Sequence, residues 1–178
     1  MSEPRVPGRD SGSEATLPCG ERVATAEVDM GMREYDCDCG SAHAVVTDVH
    51  PPSRFVPEAM VRDLRAVVET DDEFEQFGTA HLLGMAREEF PGEVVSLDVS
   101  EDGTVGYATL WVAAFDARRL HELVVELVVE MMDHALSHAD DPAAREQFRE
   151  QLRTFDVEEF VDRYRRRREF TDEHDDPV

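Results

Sequence analysis

The sequence predicts an α+β protein: a small zinc-ribbon-like antiparallel β module, then a helical domain that contains a two-stranded β-hairpin. Three observations carry this. Residues 16–49 read as short strands around Cys19, Cys37, Cys39 and His43, three thiols and an imidazole. From Pro57 onward the apolar period changes from about two residues to about 3.6. Within the helical part, 93–99 and 105–112 flank Glu101-Asp102-Gly103-Thr104, a hairpin signal.

Residues 1–15, rich in Pro, Gly, Ser and charge, predict a disordered leader. The β module occupies 16–52. Val23, Thr25 and Val28 stand among polar neighbours, Met30-Gly31-Met32 predicts a bend, and Met32 to Cys37 roughly alternates. Gly40-Ser41 predicts a turn, and Ala44-Val45-Val46 with Val49 a return strand. Few large apolar side chains fall here, and a small sheet with so little core needs a staple. Pro51-Pro52 closes the module.

The α+β domain covers 53–170. Pro57 suits a helical first turn, and Met60, Val61, Leu64, Val67 and Val68 form one stripe with Arg62 and Arg65 outside it, predicting a helix over about 57–69. Thr70 with Glu73 has capping-box spacing. The stripe Phe74, Phe77, His81, Leu82 and Met85 then predicts a helix over about 72–90, ending near Pro91-Gly92. The hairpin takes about 93–113. Phe115, Asp116 and Leu120 make a staple around an N-cap and open the longest helix, about 117–138, with Leu123, Val124, Leu127, Val128, Met131 and Ala135 on a wide apolar face. This helix is expected to pack on the hairpin. Asp141-Pro142 starts a helix over about 142–154. Phe155 to Phe160 combines a staple with capping-box spacing and starts another over about 157–168. Residues 171–178 are an acidic tail.

The chemistry concentrates at Cys19, Cys37, Cys39 and His43, which supply the four soft or borderline ligands of a tetrahedral zinc site. Gly20 and Gly40 follow Cys19 and Cys39. Glycine there lets the backbone turn so that N–H groups point at the sulfurs. The spacing C-x17-C-x-C-x3-H departs from paired CxxC motifs, and His50 competes with His43 as fourth ligand. Four protein ligands leave no open position for water, so the expected Zn2+ is structural and not catalytic.

A second constellation is the ridge Glu126, Glu130, His134 and His138, spaced four apart on the long helix. Two imidazoles and carboxylates there could bind a catalytic divalent ion, although His134 to His138 lacks the glutamate of HExxH. A solvated helix face explains the ridge equally well. His81, in an apolar stripe, reads as a hydrogen-bonded core histidine, and His121-Glu122 as surface in a first turn. There is no GxSxG elbow, no P-loop and no GxGxxG. The run Arg163 to Arg168 pairs with its own acidic tail, or else is a docking patch for phosphate or an acidic partner.

The formal charge of -23 arises from 41 acidic and 18 basic residues; all of the latter are Arg, and Lys, Ile and Asn are absent. The three missing types have AT-rich codons, which points to a GC-rich genome. The acid excess weakens a compact fold in dilute buffer but is screened at molar salt, where the Debye length is about 3 Å. Together these predict the cytoplasm of an extreme halophile. No run of about 18 apolar residues exists, and the N-terminus lacks the apolar stretch of a signal peptide, so neither membrane nor export is expected. Three cysteines in a reducing compartment favour metal or free thiols over disulfides.

Val6-Pro7-Gly8-Arg9-Asp10, Leu17-Pro18-Cys19-Gly20-Glu21, Met30-Gly31-Met32-Arg33-Glu34-Tyr35, Cys37-Asp38-Cys39-Gly40, Asp48-Val49-His50-Pro51 and Arg54-Phe55-Val56-Pro57-Glu58 resemble a family of haloarchaeal proteins of unknown function. The resemblance runs from near the N-terminus through the long helix. It implies a halophilic archaeal source and assigns no activity or site residue.

The functional expectation is a non-catalytic, zinc-stabilised interaction or regulatory protein with an unknown protein partner. One alternative is a metal-dependent or acid–base enzyme using Glu126, Glu130, His134 and His138. The other is a nucleic-acid- or ribosome-associated factor using the zinc module and Arg163 to Arg168.

Overall fold

Two short hairpins begin the fold. Strands β1 (Glu14–Thr16) and β2 (Arg22–Ala24) pair antiparallel with Ala15 opposite Val23. Strands β3 (Glu34–Asp36) and β4 (Ala42–Thr47) pair with Tyr35 opposite His43. The structure, a computed structural model, describes residues 14–24, 27–28, 33–47, 50–67, 77–98, 109–138 and 140–167. Outside these lie the leader up to residue 13, the bend at Met30 to Met32, the expected cap Thr70 with Glu73, the turn Glu101 to Thr104, Arg168 and the acidic tail. The leader expected over 1–15 ends earlier than that, because Glu14 and Ala15 belong to β1 and Ala15 is buried.

The hairpin of the second domain is present as β5 (Val94–Asp98) and β6 (Thr109–Ala113). Yet β6 also pairs with β4, Val45 opposite Val112, and the larger sheet runs β3-β4-β6-β5. Hydrogen bonding thus crosses the division drawn at residue 52. The reason lies in β4 itself, Ala-His-Ala-Val-Val-Thr, in which His43 through Thr47 are all buried. A strand apolar on both faces needs both faces covered.

Side-chain alternation sorts the two faces. Val45, Leu110 and Val112 pack with Ala15, Leu17, Val23 and Val28, so β1 and β2 roof one face of the sheet. Ala44, Val46, Trp111 and Ala113 pack against the helices on the other. The first segment, poor in apolar residues, therefore borrows its core from the sheet beneath it.

A short 3-10 turn, Pro52–Arg54, leads to α1 (Glu58–Val67), with Val61 and Leu64 buried and Arg62 and Arg65 exposed. Helix α2 (Thr79–Glu89) starts later than the expected 72, because Gly78 is extended and its N–H donates to His81 Nδ1 at 2.9 Å, capping the helix from inside. Helix α3 (Ala117–Ser137) is capped by Asp116, whose carboxylate accepts the Arg119 N–H at 2.8 Å. Its Leu120, Val124, Val125 and Val128 share the core with Trp111 and Val94 of the hairpin. Helix α4 (Pro142–Arg153), capped by Asp141, buries no residue. Helix α5 (Val157–Arg167) buries Val161 and Tyr164. Among the described residues no helix is long and apolar enough to cross a membrane.

Candidate metal centre

The turns β1–β2 and β3–β4 have the same geometry. In Leu17-Pro18-Cys19-Gly20-Glu21 and Cys37-Asp38-Cys39-Gly40-Ser41, the first N–H donates to the fifth carbonyl, at 2.8 and 3.1 Å. The fourth N–H donates back to the first carbonyl, at 2.9 and 3.0 Å. That fourth residue is the glycine, with φ of +93° and +90°, where a side chain would be strained. Cys19 and Cys39 hold the same third position in their turns. At the first position the second turn has Cys37 and the first has Leu17, which is buried under the roof of the sheet. The ligand that Leu17 cannot supply comes instead from His43 on β4.

The structure brings Cys19, Cys37, Cys39 and His43 together, all four ligand atoms lying within 4.8 Å of one another. A tetrahedral ion with metal–sulfur bonds of about 2.3 Å and a metal–nitrogen bond of about 2.0 Å requires S···S edges of about 3.8 Å and S···N edges of about 3.5 Å. Cys19 Sγ and Cys37 Sγ are 3.8 Å apart, and Cys39 Sγ is 3.4 Å from His43 Nε2. The group could hold a metal ion. His43 Nδ1 lies 2.8 Å from the Ala113 carbonyl oxygen. That oxygen only accepts, so Nδ1 carries the proton and Nε2 turns its lone pair to the thiols. Strand β6 thereby fixes the tautomer and orientation of a side chain on β4.

Backbone dipoles favour thiolate here. The Ser41 N–H draws the Cys39 thiol down to about 7. At Cys37 the Cys39 N–H lowers the thiol too, but burial and the neighbouring Cys39 and Cys19 sulfurs outweigh it, and the group rises to about 11. Thiols this close cannot all ionise without a cation between them, and a divalent ion would remove that conflict. Cys19 and Cys39 are exposed, so the centre opens to solvent on one side.

His50 does not join this group. Its Nδ1 lies 2.7 Å from Arg54 Nη1 and 2.9 Å from Thr47 Oγ1. Glu126, Glu130, His134 and His138 are exposed along α3, with the two imidazoles edge to face at 4.8 Å. Glu126 and Glu130 rim a cleft of about 350 Å³ floored by Val129, Leu152 and Phe155, which the imidazoles do not line. Among the described residues, no second group of three or more His, Cys, Asp or Glu side chains is placed to hold an ion.

His81 is hydrogen-bonded as expected and stacks on Phe77, although it is half-buried. His121 corrects the sequence reading: expected on the surface, it is 1% exposed. It precedes Val125 by four residues and Val128 by seven, so helical spacing places it on the buried face. The basic run at 163–167 also disperses around its helix. Arg163 pairs with Glu159 and Arg166 with Asp162, whereas Arg165 is half-buried and acts on His121.

The chain belongs to the family of unknown function DUF5815, which matches residues 15–168. No curated protein and no solved structure matches it.

Proposed function

We propose that this member of the family is a zinc-stabilised protein without a catalytic metal, in which Zn2+ on Cys19, Cys37, Cys39 and His43 clamps the β1–β2 roof onto the four-stranded sheet. One observation carries the reading. Four ligand atoms from two separate turns and a sheet strand converge within 4.8 Å, and two of their separations, 3.8 Å for Cys19–Cys37 and 3.4 Å for Cys39–His43, match the edges of a tetrahedral ion. Three thiolates and one imidazole favour zinc among common divalent ions, and a closed shell leaves no site for an activated water. Such an ion contributes folding free energy and not chemistry.

The role that follows is binding: an interaction or regulatory protein that presents its surface to another protein. The charge of -23 with no lysine supports a halophile's cytoplasm as its setting, since molar salt shortens screening to about 3 Å. Elemental analysis of the chain purified in molar potassium chloride tests the metal reading. The expected result is about one zinc per chain in the parent and none in Cys37→Ser. A folded, metal-free parent, or one that carries iron, overturns it.

A further inference from the structure

We propose that the metal group is also a reversible oxidation site, at which hydrogen peroxide closes Cys19 and Cys37 to a disulfide, expels the ion and leaves Cys39 a thiol. The ion in this rests on the zinc reading above, whereas the bond rests on the sulfurs alone. Cys19, Cys37 and Cys39 are all free thiols. Cys19 Sγ and Cys37 Sγ lie 3.8 Å apart, although the residues are 18 positions apart in the chain. A disulfide is about 2.05 Å long, so each sulfur has about 0.9 Å to travel. Cys19 is exposed in its turn, so its side chain can rotate without displacing the core.

Three thiols allow three pairs, and the fold selects one. Cys37 and Cys39 share a turn closed by two backbone hydrogen bonds, Cys37 N–H to the Ser41 carbonyl and Gly40 N–H to the Cys37 carbonyl. A disulfide between residues two apart closes a small ring inside that turn and strains it. Cys39 Sγ faces His43 Nε2 at 3.4 Å, and His43 is buried with its Nδ1 on the Ala113 carbonyl. Drawing Cys39 toward Cys19 breaks that contact. Joining Cys19 to Cys37 leaves it intact, and because these two come from separate turns their bond closes no local ring.

With peroxide as oxidant the steps balance. The exposed Cys19 thiolate attacks one peroxide oxygen, the O–O bond breaks, and a sulfenic acid and hydroxide form. Cys37, half-buried, then attacks the Cys19 sulfur; the S–S bond forms, the S–O bond breaks, and a second hydroxide leaves. Two thiolates have lost two electrons, and the peroxide has gained them. A bond formed first at Cys39, the other exposed sulfur, passes to the same pair by exchange with the third thiol. Cys39 and His43 alone cannot complete a tetrahedral shell, so the ion leaves. The disulfide then ties the β1–β2 turn to the β3–β4 turn in the ion's place, which removal of the ion by a chelator does not do.

The test treats the full chain in molar potassium chloride with hydrogen peroxide, once loaded with zinc and once stripped by chelator. Free thiols are alkylated, and peptides are mapped after cleavage at Asp38, which separates Cys37 from Cys39. The loaded chain should release about one zinc per disulfide formed, with Cys19 linked to Cys37 and Cys39 alkylated. Dithiothreitol should reverse both changes. Cys39→Ser should form the bond to the same extent as the parent, and Cys37→Ser not at all. Oxidation that stops at sulfinic acid on single sulfurs, a disulfide that retains Cys39, or zinc that stays bound to the oxidised chain overturns the proposal. The stripped chain separates the two readings: a Cys19–Cys37 bond in a parent that never binds zinc fails the metal reading, and zinc binding without that bond fails this one. Mapping of the parent decides it even should Cys37→Ser not fold.

Discussion

Replacing Cys39 by serine separates the metal's contribution to stability from that of the polypeptide. Cys39 is exposed and its sulfur faces His43 Nε2 at 3.4 Å, so serine there opens no core cavity. Without metal, parent and variant should melt together. With metal they should part, because a hydroxyl is a poor substitute for a thiolate on zinc. An ion that binds only the folded state, at a thousandfold excess over its dissociation constant, adds about 4 kcal/mol. In a chain of this length 1 kcal/mol moves the melting temperature by roughly 2–4 °C. The parent should therefore gain roughly 8–16 °C on adding zinc, and Cys39→Ser almost nothing at the same concentration. Four calorimetric melts in molar potassium chloride, parent and variant with zinc or with chelator, form the cycle that isolates the term. A loss of equal size in chelator would mean that the thiol acts through packing. A parent indifferent to chelator would mean that no ion supports the fold.

Other perturbations test the parts separately. Gly40→Ala places a methyl where nothing lies within 4 Å, so its whole cost is the backbone at φ +90°, about 1–2 kcal/mol. A lower melting temperature together with weaker zinc affinity is the expected readout. Gly84, inside α2, meets nothing within 4 Å either but has no positive φ, so Gly84→Ala should raise the melting temperature by roughly 2–4 °C, about 1 kcal/mol. Asp116→Ala removes the α3 cap and should lower stability by about 1 kcal/mol in urea melts. His121 is held at about 4 against an ordinary 6.5, so the unfolded chain binds more protons between those values. Its contribution is complete above pH 6.5, falls as the pH drops through that window, and is gone below 4, a loss of about 3 kcal/mol. Urea midpoints at pH 7 and pH 4.5 should show this slope in the parent and a flatter one in His121→Gln.

The helices were legible because their signals are local. Asp116, Asp141 and Asp156 cap as their spacing implies, each accepting N–H groups of the first turn. The metal group was legible because only four side chains of the right kind crowd the first quarter of the chain. The late start of α2 was hidden, since His81 caps its helix through Gly78 N–H, a geometry with no composition signature. The burial of His121 was missed for a different reason: its place in the first turn beside Glu122 suggested surface, whereas its spacing to Val125 and Val128 puts it on the buried face of α3.

The union of the two sheets is the part that sequence reasoning could have reached. A strand of a solvated two-layer module alternates apolar and polar residues, whereas β4 reads Ala44-Val45-Val46 without a break and is buried on both faces. That run already demands neighbours on either side, which the front module alone cannot offer. Once β4 lies in the middle of a sheet, the role of the metal changes. An ion is not needed to create a core, because Leu17, Val23 and Val28 find one in Val45, Leu110 and Val112. In the proposed reading its part is to fix where the roof sits. Strands β1 and β2, three residues each, join the sheet by apolar contact, which has no direction. Coordination is directional, and Cys19 is the ligand that the roof contributes. It follows that losing the ion should free β1 and β2 before the sheet. Amide exchange of Val23 should rise in chelator while that of Val112, deep between β4 and β5, stays slow. Simultaneous opening of both would show instead that roof and sheet fold as one unit, with the metal supporting all of it.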